Sequence, residues 1–301
     1  MKRKLKIHVH PAGQLGNQLF QLAAATYLFD LIEKQGIKQP AIIWHADKSV
    51  TRDLMWITGI KFTTREHKFV TKLLTSQVSL AERKKIVQII FSAWQKAQNF
   101  RKYHVGDLLR DLDFNLLSSH TNILISGYYQ DFKWTAFLAN SIRSNLTKSV
   151  SKEILSNIER DAPIAIHMRF GDYLEPNIKK VLGEVPSEYY RDAIEYFSGD
   201  LTGETLWVFT DDQALARKKL EELRITNFLF VDSFKLGARE ELVLFALCPK
   251  KVISNSTYSW WGAYSSDPRC EVVAPSPLTN EHRIHPATSP AWIKKTLTFN
   301  I

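Results

Sequence analysis

Cysteine is nearly absent from this chain. Only Cys248 and Cys270 occur in 301 residues. A single bridge between them is open, but two thiols in a chain this long suit a reducing compartment better than a disulfide scaffold, so a cytoplasmic location is expected. Neither has metal-ligand spacing. Long apolar runs are missing as well. None approaches the ~20 residues that cross a bilayer, and Met1-Lys2-Arg3-Lys4 is not followed by an apolar signal-peptide core. Internal repeats, low-complexity stretches, zinc-finger spacing and aromatic RNA-binding signatures are all lacking, and the basic residues are dispersed. A nucleic-acid partner is therefore not expected.

Acidic residues are scarce in one half only. Residues 1–150 carry 22 Lys and Arg against 10 Asp and Glu, a net of +12 within the whole chain's +9, and residues 151–301 carry a net of −3. A basic half reads either as a solvated surface or as a face for peripheral contact with an anionic membrane. Between Arg83 and Lys102, Ile86, Ile89, Ile90, Phe91 and Trp94 recur at near-helical spacing. That suits a core-facing helix or one lying on a surface. Hydrophobic content of 45% and charged content of 24% are ordinary for a globular protein, and the length suggests two domains.

The order of elements points to an α/β fold. In the first half, Lys6-Ile7-His8-Val9-His10 reads as a strand running into a Gly-containing loop and an apolar helix to about Phe29. Ala41-Ile42-Ile43-Trp44 is a second strand, a long basic and mostly helical region follows, and a strand from Ile123 closes the half at Tyr128-Tyr129. The seam falls near 145–162, giving domains 1–150 and 151–301. The second half alternates cleanly. Strands at Ile164–Ile166, Leu206–Thr210, Phe228–Val231, Val252–Ile253 and Val272–Ala274 are separated by helices beginning near Ser187, Gln213, Arg239 and Tyr258. Such alternation implies a parallel, doubly wound sheet. The tail with Trp292 is expected to pack back across the seam.

The candidate chemistry lies where strands run out into loops, the place where α/β proteins bind ligands. Ile166-His167-Met168-Arg169-Phe170-Gly171-Asp172 offers a His, an Arg and an Asp within six residues. The planar fork of Arg169 suits a phosphate. Asp172 can hold that fork rigid, and His167 is a second donor. The plain alternative is a structural Arg–Asp ion pair. Thr210-Asp211-Asp212 reads as a helix cap, a guanine acceptor or an oxygen-donor metal pair. The other Asp-x-Asp, Asp111-Leu112-Asp113, sits in a Leu-rich, helix-like context and reads as surface. Ser254-Asn255-Ser256-Thr257 sets hydroxyls and backbone N–H groups at a helix start, a ready anion site or simply a cap. Trp260 and Trp261 read as packing. Gly13 to Gln18 is Gly-rich but lacks the Lys of a nucleotide-hydrolase loop and the third Gly of a dinucleotide fingerprint. On residues alone, Asn17 and Gln18 belong to a turn and a first helical turn.

Three of these stretches, in this order, resemble the family 11 glycosyltransferases, inverting α-1,2-fucosyltransferases that use GDP-fucose. The carriers are Gly13-Gln14-Leu15-Gly16-Asn17-Gln18, His167-Met168-Arg169-Phe170-Gly171-Asp172-Tyr173, and Ser254-Asn255-Ser256-Thr257-Tyr258-Ser259-Trp260-Trp261-Gly262. Phe170 departs from the pattern, since many members carry a second Arg there, and the expected consequence is one weaker anionic contact. The resemblance implies two Rossmann-like domains facing a cleft (GT-B-like), with GDP-fucose in the second and a galactoside oligosaccharide or glycolipid acceptor in the first. It implies no cofactor and no essential metal. On this reading Arg169, Asp172 and His167 are the catalytic candidates. Asn17, Gln18, Asp211, Asp212, Asn255, Ser256 and Thr257 are the donor-binding candidates, with a guanine contact at one of the two aspartates. The general base stays open among Asp172, His167, His8 and His10. Rival readings are a transferase for another GDP-6-deoxysugar and a non-catalytic sugar-binding module.

Overall fold

The computed structural model describes residues 5–36, 40–46, 48–65, 101–103, 122–125, 127–199, 204–277 and 291–298. The chain forms two compact units, Met1–Tyr129 and Gln130–Ile301. The sequence places this division near residue 150. Two helices move it: α3 (Ala136–Asn145) and α4 (Lys152–Asp161) both fall in the second unit. Arg143 of α3 shows why. Its guanidinium donates to the carbonyls of Tyr264 and Ser266 at 3.1 and 2.6 Å, capping the end of a later helix in the same unit.

The first unit holds a parallel sheet of β1 (Lys6–Val9), β2 (Ala41–Trp44), β3 (Thr63–Thr64), β4 (Arg101–Tyr103) and β5 (Asn122–Ile125) in the order β3-β2-β1-β5-β4. Helix α1 (Leu15–Lys34) follows β1, and α2 (Lys48–Thr58) follows β2. The helix expected between Arg83 and Lys102 lies outside the described residues, except that Arg101 and Lys102 belong to β4. Asp111 and Asp113 also lie outside them.

The second unit is a six-stranded parallel sheet. Its strands are β6 (Ile164–Met168), β7 (Leu206–Thr210), β8 (Phe228–Phe230), β9 (Lys250–Val252), β10 (Glu271–Ser276) and β11 (Ile293–Thr296), ordered β11-β10-β9-β6-β7-β8. Helices α5 (Pro176–Leu182), α6 (Ser187–Ser198), α7 (Gln213–Glu222), α8 (Ala238–Leu247) and α9 (Thr257–Tyr264) fill the crossovers. Every residue of β6 is buried, as a central parallel strand covered on both faces must be. Ile164, Ile166 and Met168 share a core with Tyr189, Tyr190 and Ile194 of α6 and with Leu220 of α7. Tyr189 donates its hydroxyl to the carbonyls of Ile253 and Val273 at 2.6 and 3.1 Å, fixing α6 across β9 and β10. Trp260 and Trp261 are buried, and Trp292 meets Trp260 edge-on at 5.8 Å. The tail thus docks within the second unit, where it supplies β11. That strand reads poorly because its pattern is Ile-Lys-Lys-Thr at a sheet edge.

Candidate functional site

The chain runs from β6 outward through β7 to β8, then returns past β6 to β9 and on through β10 to β11. The reversal between β6 and β9 is the topological switch point, where the strand ends open a crevice. Arg169 is the first residue past β6, and Ser254–Ser256 follow β9 closely. Two of the three motif stretches therefore meet at one place.

Arg169 is held from two sides. Its Nη1 lies 2.7 Å from Asp211 Oδ2 and its Nη2 lies 2.5 Å from Asp172 Oδ1. The guanidinium also lies over the Tyr173 ring, 5.5 Å from its centroid. Asp211 is anchored further, because its Oδ1 accepts the Phe170 backbone N–H at 2.9 Å. Gly171 makes this possible. Its φ is +34°, and a Cβ there would lie 2.3 Å from Asp211 Oδ2. Two carboxylates and a glycine thus aim one arginine, whose five N–H donors are not exhausted by two partners.

The other candidates are placed less directly. His167 is buried, and its Nδ1 lies 2.8 Å from Ser254 Oγ, a bond across the β6–β9 switch point. Burial, helped by the Arg169 charge, lowers its pKa to about 3. It is neutral at physiological pH and supplies no cation to a phosphate. Asp212 caps α7, its Oδ1 accepting Leu215 N–H at 3.0 Å. Asp211 spends both oxygens on Arg169 and Phe170. Asp211 therefore has both carboxylate oxygens engaged and Asp212 has one. Asn255 donates its side-chain amide to the carbonyls of Leu182 and Gly183, both at 3.0 Å, locking the end of α5. Ser256 caps α9 by accepting Tyr258 N–H at 3.3 Å, and Thr257 opens that helix. Phe170 is buried with Lys219 Nζ 5.7 Å from its ring centroid. Position 170 faces the core, so the expected loss of an anionic contact has no counterpart in this geometry.

One residue escaped the sequence reading. Glu241 sits in the first turn of α8, half-buried, near Asp232 and Glu240 and beside Tyr258 of α9. Tyr258 in turn lies against His167, with ring centroids 5.5 Å apart. Burial first, then Asp232 and Glu240, raise the Glu241 pKa from 4.5 to about 7. Acidic residues in a first helical turn are common because the helix dipole favours them, so nothing in the sequence distinguished this one. Among the described residues no group of His, Cys, Asp and Glu has the geometry of a metal site.

In the first unit, Gly13 has a φ of +75°, and a Cβ there would meet Asn17 Nδ2 at 2.4 Å. Gln18 Nε2 donates to the Gly13 carbonyl at 3.0 Å, while Gln18 Oε1 is buried with no hydrogen-bond partner among the described residues. Gln21 of α1 accepts Ala12 N–H at 3.1 Å and donates to the Gly127 carbonyl at 2.9 Å. It clamps the loop after β1 to the segment after β5. Asn17 and Gln18 thus belong to the first unit and Arg169 to the second.

Comparison with known proteins adds the lineage. A family model described as Glycosyl transferase family 11 matches residues 1–296. An O-antigen biosynthesis glycosyltransferase, WbnK, of Escherichia coli is 35% identical over 103 residues, 33% of each chain. An alpha-1,2-colitosyltransferase of Escherichia coli is 28% identical over 134 residues, 42% of this chain and 44% of that one. The chain thus matches less than half the length of either relative. A family 9 glycosyl transferase structure from Veillonella parvula superposes with a TM-score of 0.50 at 13% identity, covering 99% of this chain and 87% of that one. An E. coli ADP-heptose heptosyltransferase II structure gives 0.50 at 13%, covering 97% and 90%. These likenesses show the fold: α/β units with parallel sheets, of the GT-B glycosyltransferase class.

Proposed function

The chain belongs to glycosyl transferase family 11, and from that premise we propose that it transfers L-fucose from GDP-β-L-fucose to the 2-hydroxyl of a galactoside with inversion. The observation that carries this reading is Arg169, held by Asp172 and Asp211 at the switch point beside the α9 N-terminus. The acceptor oxygen attacks the anomeric carbon. The bond from that carbon to the diphosphate oxygen breaks, and its electron pair stays on the diphosphate. Fixed donors aimed at that growing charge are often the largest catalytic contribution. Asp172, with 46% of its side chain exposed, is the carboxylate that can yield to the incoming diphosphate; Asp211 remains, tied to Phe170 as well. Glu241 is the better guanine acceptor on this reading, because no partner among the described residues holds its carboxyl. It takes the place first given to Asp211 or Asp212. Asn255, Ser256 and Thr257 shape the anion end of the site, and His167 ties its two sides together.

A second donor is favoured by the colitosyltransferase relative: another GDP-6-deoxysugar on the same site. The basic first half supports a peripheral contact with anionic membrane. Co-sedimentation with anionic vesicles at low salt, fading as salt screens it, tests that contact, and failure to bind even at low salt would sink it. Competition between GDP-fucose and other GDP-sugars for transfer to a β-galactoside tests the function. Failure to bind GDP at all would leave a sugar-binding module instead.

A further inference from the structure

An arginine that receives a diphosphate must give up a partner and still stay aimed. Two carboxylates grip the Arg169 guanidinium, Asp211 at Nη1 and Asp172 at Nη2, at 2.7 and 2.5 Å. An arriving anion therefore meets more negative charge than positive until Asp172 yields. Of these two ion pairs only that with Asp211 then remains, and a planar group held at one nitrogen can swing about that contact. A third support is already in place. The guanidinium lies over the Tyr173 ring, its Cζ 5.5 Å from the ring centroid. We propose that Tyr173 is the positioning residue that keeps Arg169 aimed when a diphosphate displaces Asp172. The inference rests on the reading of Arg169 as the diphosphate ligand.

One tight turn builds the support. Gly171, at a φ of +34°, lets the chain fold back just past β6. Gly171–Leu174 then form a 3₁₀ turn, and the Tyr173 N–H closes on the Phe170 carbonyl at 2.8 Å. The turn returns both Asp172 and Tyr173 to Arg169, but in different settings. Asp172 is exposed and Tyr173 is half-buried. The far end of the tyrosine is fixed as well. Its hydroxyl donates to the Asn255 carbonyl at 3.3 Å and has the Ser256 side chain as a further hydrogen-bond partner. Asn255 is itself locked by its two bonds to the carbonyls of Leu182 and Gly183. Tyr173 therefore reaches from the end of β6 to the residues that follow β9, and its ring does not move with Asp172.

The ring supports the arginine without competing for it. An aromatic face attracts a cation through its quadrupole. It occupies none of the guanidinium N–H donors, and it carries no net charge to repel a diphosphate. Burial pushes the Tyr173 hydroxyl up to about 12, although the Arg169 charge acts the other way. The phenol is therefore neutral throughout the physiological range. The geometry of the two supports is complementary. The ring face holds the plane of the guanidinium, and Asp211 holds one nitrogen within that plane. A plane and a point in it together fix the direction of the other edge. That edge is Nη2, the nitrogen Asp172 vacates and a diphosphate oxygen takes. Without the ring, the guanidinium would turn about its contact with Asp211, and the freed edge would lose its aim.

The test titrates GDP into the full chain and its variants. Tyr173→Leu and Tyr173→Met, which fill space without a ring face, should each weaken GDP by roughly tenfold, the scale of a partly desolvated cation–π contact. Tyr173→Phe keeps the face and should stay within about threefold of the wild type. In an Arg169→Gln background, Tyr173→Leu should cost less than about twofold more, because the group it positions is gone. Equal losses in both backgrounds, or wild-type affinity in the Leu and Met variants, would overturn the inference. A readout without GDP separates it from the diphosphate reading. The Arg169 Nε–H resonance, identified by its loss in Arg169→Gln, should stay sharp and ring-shifted in Asp172→Asn. It should collapse to an averaged position in Asp172→Asn combined with Tyr173→Leu. A resonance unchanged by the loss of the ring overturns the positioning. The expected collapse, found together with an Arg169→Gln chain that binds GDP normally, leaves the positioning standing and removes the diphosphate from Arg169.

Discussion

Asp211 binds Arg169 at 2.7 Å with one oxygen and the Phe170 backbone N–H at 2.9 Å with the other. A residue from the end of β7 therefore sets the direction of an arginine at the end of β6. Asp172 holds the opposite edge of the same guanidinium but is more exposed. The two carboxylates should behave differently. Asp211→Asn should weaken GDP binding, because the fork loses its fixed charged anchor. Asp172→Asn should leave GDP affinity unchanged or improved, because a competing anion is gone. Calorimetric titration with GDP decides, and equal losses in both variants would refute the distinction. Arg169→Lys, which keeps charge but loses the fork, should cost roughly 10²–10³ in turnover.

Gly171 should tolerate no side chain. Alanine there would have to hold a φ near +34° and push its Cβ against Asp211. Strain of this kind costs about 1–3 kcal/mol. Gly171→Ala should therefore lower thermal stability and also reproduce the Asp211→Asn loss in GDP affinity. A variant with wild-type GDP affinity would show that the Asp211 grip is unimportant.

Glu241 gives a pH signature. Its pKa is raised from 4.5 to about 7 in the folded chain. The protonated acid is thus the form that folding favours. The associated stability is fully present below 4.5 and is lost as pH rises through about 7. Glu241→Gln imitates the neutral acid, so it should raise the melting temperature at pH 8 and change it little at pH 5. Guanine donors need the ionised form, so GDP affinity should fall from pH 8 to pH 6 in the wild type and stay flat and weaker in the variant. A Gln variant that binds GDP normally would remove Glu241 from the nucleotide.

The sequence was legible where periodicity was strong. β6, β7, α6, α7 and the helix after Ser256 fall close to their expected positions, because buried parallel strands read as apolar runs, Pro186 precedes α6, and Asp212 and Ser256 cap the other two helices. It was poorly legible where an element is short or sits at an edge. β3 has two residues, and β11 reads Ile-Lys-Lys-Thr with little apolar signal. The Arg169–Asp172 pairing could be read from spacing. The Asp211 clasp could not, since it joins residues 42 apart through the β6–β7 pairing. Asn255 looked like a ligand residue, yet its amide is spent on the carbonyls at the end of α5, a contact across more than 70 residues that no local pattern reveals. Glu241 was hidden by the ordinariness of acids in first turns.

Metal independence is a separate expectation. If Arg169 and the α9 N-terminus neutralise the diphosphate as proposed, activity should persist in excess EDTA. Loss of activity restored by Mn²⁺ would instead assign Asp211 and Asp212 to a cation and break the Arg169 account.

The most direct measurement is transfer itself. Incubation with GDP-β-L-fucose and a β-galactoside, followed by NMR linkage analysis, should give a fucose joined α to O2 of galactose. The α configuration follows from single displacement on a β donor. Absence of any fucosylated product, or a product that retains the β configuration, would contradict the account.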